Sequence, residues 1–117
     1  MGDDPAPLRE SPVRGVESRN GAVVLRLGGE LDLYNAEEIR NALVGLIAEE
    51  PRCLVIDLAD VEFADSTFLG VLVDAHSRLG DSLRLAAPQL ETRRALQVSG
   101  LDRHLPVHDT VDDAIAG

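Results

Sequence analysis

Apolar residues recur along this chain with two periods, which predict alternating strands and helices. Near the N-terminus they occupy every second position, at Val23, Leu25 and Leu27, a spacing typical of a half-buried strand. The dipeptide Asn20-Gly21 just before them favours a tight hairpin turn. This strand is therefore expected to pair antiparallel with an edge strand over residues 13–18.

The following segment predicts a connector and a first helix. Gly28-Gly29 is expected to end the strand, and residues 30–33 are expected to lead into the helix. Asn35 is a good N-cap, and Glu38 stands at the third helical position, which gives a capping-box-like start. Apolar residues then repeat at helical spacing on one face, namely Ala36, Ile39, Leu43, Leu46 and Ile47.

The rest of the chain repeats the alternation of strand and helix. The run Leu54-Val55-Ile56 is continuously apolar, as in a strand buried on both faces, and residues 58–65 are expected to form a loop. The order β-β-α-β-α-β-α-β-α predicts an α/β fold, a single domain with a four- or five-stranded mixed sheet covered by about four helices. The other expected elements are helices over 66–79, 91–99 and 110–115 and strands over 82–87 and 107–108.

The segment 63–70 joins the buried strand to the helix that follows it. Asp65, Ser66 and Thr67 all carry oxygens that accept from the free N–H groups of a first helical turn, so a serine hydroxyl is expected at a helix N-terminus. The helix N-terminus favours a phosphate because it carries partial positive charge. A role for Ser66 and Thr67 as helix caps alone also explains the local pattern.

Functional sites of open α/β sheets lie at the carboxyl ends of the strands. Asp32, like Ser66, comes after the end of a predicted strand. Asp32 and Ser66 are therefore expected on one rim of the sheet.

Length and charge narrow the classes of function. The 117 residues, 44% of them apolar, suit one domain. Residues 1–11 are acidic and contain prolines, so a flexible N-terminal arm is expected there, followed by a folded domain over residues 12–117. The net charge of −10 argues against direct nucleic-acid binding and favours a partner with a basic patch. The N-terminus has no signal-peptide pattern and no apolar run reaches membrane-spanning length, so a cytoplasmic protein without membrane contact is expected.

Few residues suggest catalysis. Cys53 is the single cysteine, which excludes an intramolecular disulfide or a cysteine metal cluster, and it is expected to be buried. His76, His104 and His108 are scattered, and neither a glycine-rich phosphate loop nor a Gly-x-Ser-x-Gly elbow is present. The sequence therefore predicts no cofactor, no metal site and no enzymatic activity.

Four motifs resemble the stand-alone STAS domains of the anti-sigma factor antagonist family. In chain order they are Gly29-Glu30-Leu31-Asp32, Val61-Glu62-Phe63-Ala64-Asp65-Ser66-Thr67, Leu69-Gly70-Val71-Leu72 and Ser99-Gly100-Leu101. Their order and spacing cover nearly all of the chain from residue 12 onward. The resemblance implies a STAS-like fold and a protein that regulates transcription by binding a partner.

The resemblance also implies roles for individual residues. Ser66 would be the serine that a cognate anti-sigma serine kinase phosphorylates, with Thr67 a less favoured acceptor. The unphosphorylated protein would bind this kinase and free its sigma factor, and a PP2C-type phosphatase would reset it. Asp32 and Asp65 map to the partner-facing rim together with Ser66 and Thr67. The protein is expected to be a monomer or a weak dimer.

Phe68 departs from the family pattern, which usually has glycine directly after the Ser/Thr pair. The ring either folds into the core or stands beside Ser66 as an anchor for the partner. We expect Phe68 to be partly exposed, because the first turn of its helix is expected to project past the sheet rim, and we count it among the partner-binding residues.

Two other classes of function stay open. The chain is also compatible with a constitutive STAS interaction or scaffold module, such as a regulatory or transport-complex subunit, in which Ser66 is only a cap. A small α/β hydrolase that uses Ser66 as its nucleophile is the third class. Phosphorylation by a co-purified kinase and labelling by a serine-directed covalent probe separate the three.

Overall fold

A hairpin opens the part of the chain that the computed structural model describes, residues 10–117. Its strands, β1 (Val13–Arg19) and β2 (Ala22–Leu31), pair antiparallel. The turn between them has φ angles of 53° at Asn20 and 83° at Gly21, the left-handed conformation that a tight type I′ turn requires. The predicted hairpin is confirmed.

Strands and helices alternate after the hairpin. Within residues 10–117 the strands form one five-stranded sheet in the order β1-β2-β3-β4-β5, and all pairs beyond the hairpin are parallel. The predicted α/β fold with a mixed sheet is confirmed. The bounds of the remaining elements are α1 Ala36–Ile47, β3 Cys53–Ala64, α2 Ser66–Leu79, β4 Leu83–Ala86, α3 Leu90–Ser99, β5 Val107–His108 and α4 Val111–Ala116.

The two central strands run past the points at which their sequence signals end. β2 continues through Gly28-Gly29, and β3 continues to Ala64, so the predicted strand end and the predicted loop over residues 58–65 are wrong. The two extensions pair with each other as far as Leu31 opposite Ala64, with irregular register on the way. Ladder hydrogen bonds from the neighbouring strand outweigh the weak strand preference of glycine, and bulges absorb the mismatch.

The sheet separates two apolar cores. The larger lies under α1, α2 and α3, where Leu25, Ile56 and Leu85 of the central strands are fully buried. The smaller lies on the opposite face under α4 and includes Cys53, whose predicted burial is confirmed. Arg84 fastens α4 to this face, because its guanidinium donates to the carbonyl oxygen of Ala114 at 2.7 Å.

The start of α1 differs from its prediction. Asn35 stands at the N-cap position, but its side chain makes no capping hydrogen bond, so the predicted capping box is wrong. Glu38 instead accepts a hydrogen bond from the hydroxyl of Ser11.

The first nine residues of the predicted arm over residues 1–11 lie outside the residues that the structure describes. Among the described residues, no helix combines the length and apolar character that crossing a membrane requires.

Candidate functional site

Asp65 caps helix α2. Its Oδ1 accepts hydrogen bonds from the backbone N–H groups of Thr67 at 2.8 Å and Phe68 at 3.2 Å. Asp65 has extended backbone angles, as an N-cap residue should, and its negative charge suits the positive end of the helix. The cap is therefore the carboxylate that adjoins Ser66, and neither Ser66 nor Thr67 fills that role.

Ser66 and Thr67 occupy the first two positions of α2 but differ in exposure. The Ser66 side chain is exposed, whereas Thr67 is half-buried. An enzyme that approaches this end of the helix therefore reaches the serine hydroxyl more easily than the threonine hydroxyl. Because Asp65 is engaged as a helix cap, the arrangement offers Ser66 as a presented hydroxyl rather than as an activated nucleophile.

The ends of β2 and β3 bring the predicted site residues to one rim. The N–H of Asp65 donates to the carbonyl oxygen of Leu31 at 3.0 Å. Asp32 and Asp65 therefore follow directly on the paired strand ends Leu31 and Ala64, and Ser66 is the next residue after Asp65. The Oδ1 of Asp32 accepts from the N–H of Tyr34 at 3.0 Å, which gives this half-buried carboxylate a local structural role as well.

The rim is acidic. Segments 28–35 and 60–67, which form it, contain no arginine or lysine. The guanidinium of Arg14, a residue of β1, lies next to Gly28 at the edge of this rim. The carboxylates that the two segments contribute are Glu30, Asp32, Asp60, Glu62 and Asp65. Such a surface attracts a partner with a basic patch and disfavours a polyanion.

Phe68 corrects the sequence analysis. Its ring is 0% exposed and belongs to the larger core, so the expected partial exposure is wrong and the residue is not a partner-binding anchor. With Asp65 as the cap, Phe68 falls at the third helical position. There it shares a face with Val71, Leu72 and Ala75, all of which are buried against the sheet.

Two exposed residues beside the site were not predicted from the sequence. Leu33 and Tyr34 form the tip of the connection between β2 and α1, and both side chains point mostly into solvent. The signal that could have identified them is compositional: Tyr34 is the only tyrosine of a chain with 3% aromatic residues, and it stands in a polar connector.

The capping role of Asp65 predicts that its carboxylate stabilises the folded protein. Asp65→Ala should lower the free energy of unfolding by about 0.5–2 kcal/mol, because two N–H groups lose their acceptor. Asp65→Asn is the matched control, since asparagine caps equally well but carries no charge. Urea unfolding measures both. An alanine variant as stable as the asparagine variant would show that the cap contributes nothing.

Most of the described chain is similar to known proteins. A family model described as the STAS domain matches residues 15–114. The anti-sigma-F factor antagonist RsfB of Mycobacterium tuberculosis is 36% identical over 104 residues, which cover 87% of this chain and 85% of that relative.

Solved structures share the fold. The crystal structure of an anti-sigma factor antagonist from Mycobacterium paratuberculosis has a TM-score of 0.81 at 35% identity and covers 86% of this chain and 88% of its own. The anti-sigma factor antagonist SpoIIAA in its unphosphorylated form has a TM-score of 0.72 at 26% identity, covering 86% of this chain and 91% of its own. The phosphorylated form of SpoIIAA, from Bacillus, has a TM-score of 0.65 at 26% identity, covering 87% of this chain and 96% of its own.

Since the family model spans residues 15–114 and both mycobacterial relatives are anti-sigma factor antagonists, this chain belongs to the STAS-domain family of anti-sigma factor antagonists.

Proposed function

We propose that this protein is an anti-sigma factor antagonist whose binding is switched by phosphorylation of Ser66. The unphosphorylated form binds an anti-sigma serine kinase and so frees a sigma factor. The kinase phosphorylates Ser66 and releases the protein, and a PP2C-type phosphatase restores the binding form. The proposed cycle takes place in the cytoplasm.

The observation that carries the proposal is an exposed serine next to an occupied helix cap. Asp65 already accepts from the N–H groups of Thr67 and Phe68, so a phosphate on Ser66 competes with a carboxylate for those donors. The phosphate therefore stays at the surface instead of folding onto the helix end. The negative charge of this exposed phosphate is therefore able to weaken the binding of a docked partner.

The rim around Ser66 supports a protein partner. Asp32 and Asp65 flank the serine on the two strand ends, and Thr67 adds a half-buried hydroxyl beside it. We propose these four residues as the centre of the partner-binding surface. Their acidic surroundings fit a basic patch on the kinase.

The relatives support a role for phosphate. SpoIIAA, an anti-sigma factor antagonist, has been solved in an unphosphorylated and a phosphorylated form, and this chain resembles both. The relatives thus favour the switch over the constitutive interaction module that the sequence left open.

The test uses the anti-sigma serine kinases encoded in the same genome, each purified separately. Isothermal titration measures the binding of the unphosphorylated chain to each kinase. Incubation with ATP and intact-mass measurement then detect phosphorylation. Wild type and Thr67→Val are expected to gain the mass of one phosphate, whereas Ser66→Ala is expected to bind but to gain none.

The outcomes separate the alternatives. Binding without any gain of mass would identify a constitutive module. A phosphate on Ser66→Ala would place the acceptor elsewhere in the chain. No binding to any anti-sigma kinase would overturn the proposed function as a whole.

A further inference from the structure

The connection between β2 and α1 is held by its own side chains. Asn35 accepts from the N–H of Asp32 through Oδ1 at 2.9 Å and donates from Nδ2 to the carbonyl oxygen of Glu30 at 2.7 Å. Asp32 in turn accepts from the N–H of Tyr34. Hydrogen bonds to both ends and to the tip therefore fix the loop, so binding through it costs little conformational entropy.

The tip of this loop presents two large apolar side chains to solvent. Leu33 is 67% exposed and Tyr34 is 84% exposed. Single exposed apolar residues are normal on protein surfaces. Two neighbours on a hydrogen-bonded loop form a fixed apolar projection, and removing their apolar surface from water in a complex favours binding.

The apolar projection of Leu33 and Tyr34 lies at the same rim of the sheet as Ser66. The loop begins directly after Leu31, whose carbonyl oxygen accepts from the N–H of Asp65, the residue before Ser66. Phe63, which is 53% exposed, lies in register with Glu30 on the neighbouring strand. Two of the three aromatic residues of the chain are therefore exposed at this rim, where tyrosine in particular is a frequent hot-spot residue.

The surroundings of the projection select the chemistry of its partner. The rim segments contribute five carboxylates and no arginine or lysine. An apolar projection within an acidic surface fits an apolar recess that is bordered by arginine or lysine side chains. A lipid surface with anionic headgroups or a nucleic acid would be repelled by the same carboxylates.

We propose that Leu33 and Tyr34 form the apolar anchor through which this protein binds its anti-sigma factor. This inference rests on the proposed function and assigns a separate task to the loop. Ser66 carries the signal, because its phosphate changes the charge of the rim. Leu33 and Tyr34 supply affinity in the unphosphorylated state, because they enter a recess of the anti-sigma factor that is bordered by basic residues.

The experiment uses the anti-sigma kinase that binds the unphosphorylated wild-type chain in the test above. Isothermal titration gives its dissociation constant for wild type, Leu33→Ser and Tyr34→Ser, with the thermal midpoint of each variant as a folding control. Val98→Ser is the matched control, since Val98 of α3 is 83% exposed and lies outside the rim segments.

Tyr34→Ser and Leu33→Ser are each expected to weaken binding by about tenfold or more, with unchanged thermal midpoints. Val98→Ser is expected to bind within about twofold of wild type. Equal binding by Tyr34→Ser, Leu33→Ser and wild type would overturn the anchor while leaving the proposed function intact. Failure of the wild-type chain to bind any anti-sigma kinase would overturn both.

Discussion

The Ser66→Asp variant is expected to stay folded and to bind its anti-sigma factor at least about a hundredfold more weakly than wild type. Ser66 is exposed at the first position of α2, so water screens the new charge in the free protein. The helix N-terminus favours that charge by about 0.3–1 kcal/mol, and repulsion from Asp65 opposes it. The free energy of unfolding should therefore change by less than about 1 kcal/mol.

The complex responds differently, because docking removes the water that screens the rim. Placing a charge without a partner in such an interface costs several kcal/mol, and about 3 kcal/mol already exceeds a hundredfold in affinity. Phosphoserine carries about −1.5 to −2 charges and should have a larger effect than aspartate. Isothermal titration with the anti-sigma kinase measures both forms.

Two variants control for charge and for loss of the hydroxyl. Asn41→Asp adds the same unit of charge at an exposed position of α1 and should bind like wild type. Ser66→Ala removes the hydroxyl without adding charge and should also bind like wild type. If enzymatically phosphorylated protein binds as tightly as wild type, phosphate at Ser66 is not the switch.

Local sequence signals were sufficient where one element determined the outcome. The Asn20-Gly21 turn and the alternation of Val23, Leu25 and Leu27 predicted the hairpin, because both depend on residues next to one another in the chain. The order of the elements then limited the topology, because parallel strands need crossover connections. The shared rim of Asp32 and Ser66 followed from that topology.

Local sequence signals gave wrong predictions where a side chain had more than one possible hydrogen-bond partner. Asn35 has the side chain of a good N-cap, but its carboxamide bonds the backbone of Asp32 and Glu30 instead. Both groups lie at the end of β2, which runs on to Leu31 and pairs there with β3. Sequence near Asn35 carries no information on that pairing.

The position of Phe68 could have been derived from the chain itself. Phe68, Val71, Leu72 and Ala75 have the spacing of one helical face, and all four are buried. The prediction of partial exposure gave more weight to the expected projection of the first turn past the sheet. Assigning Asp65 as the cap would have put Phe68 on the buried face, because the cap sets where the helix begins.

The Phe68→Ala variant is expected to lose about 3–5 kcal/mol in the free energy of unfolding. The ring is fully buried in the larger core, so truncation removes its apolar contacts and leaves a cavity beneath the first turn of α2. Chemical denaturation with urea, read by circular dichroism, measures the loss. A loss of this size is a large part of the stability of a small domain, which is typically about 5–15 kcal/mol.

Phe63→Ala is the matched control, because Phe63 and Phe68 are the only two phenylalanines of the chain and Phe63 lies half in solvent. Its truncation should cost less than about 1.5 kcal/mol, since much of the ring is never removed from water. The fraction of Phe68→Ala that remains folded should bind the anti-sigma kinase with wild-type affinity, because a buried ring contacts the core and not the partner. Equal losses of stability in the two variants, or weak binding by folded Phe68→Ala, would contradict the expectation that Phe68 acts only through the core.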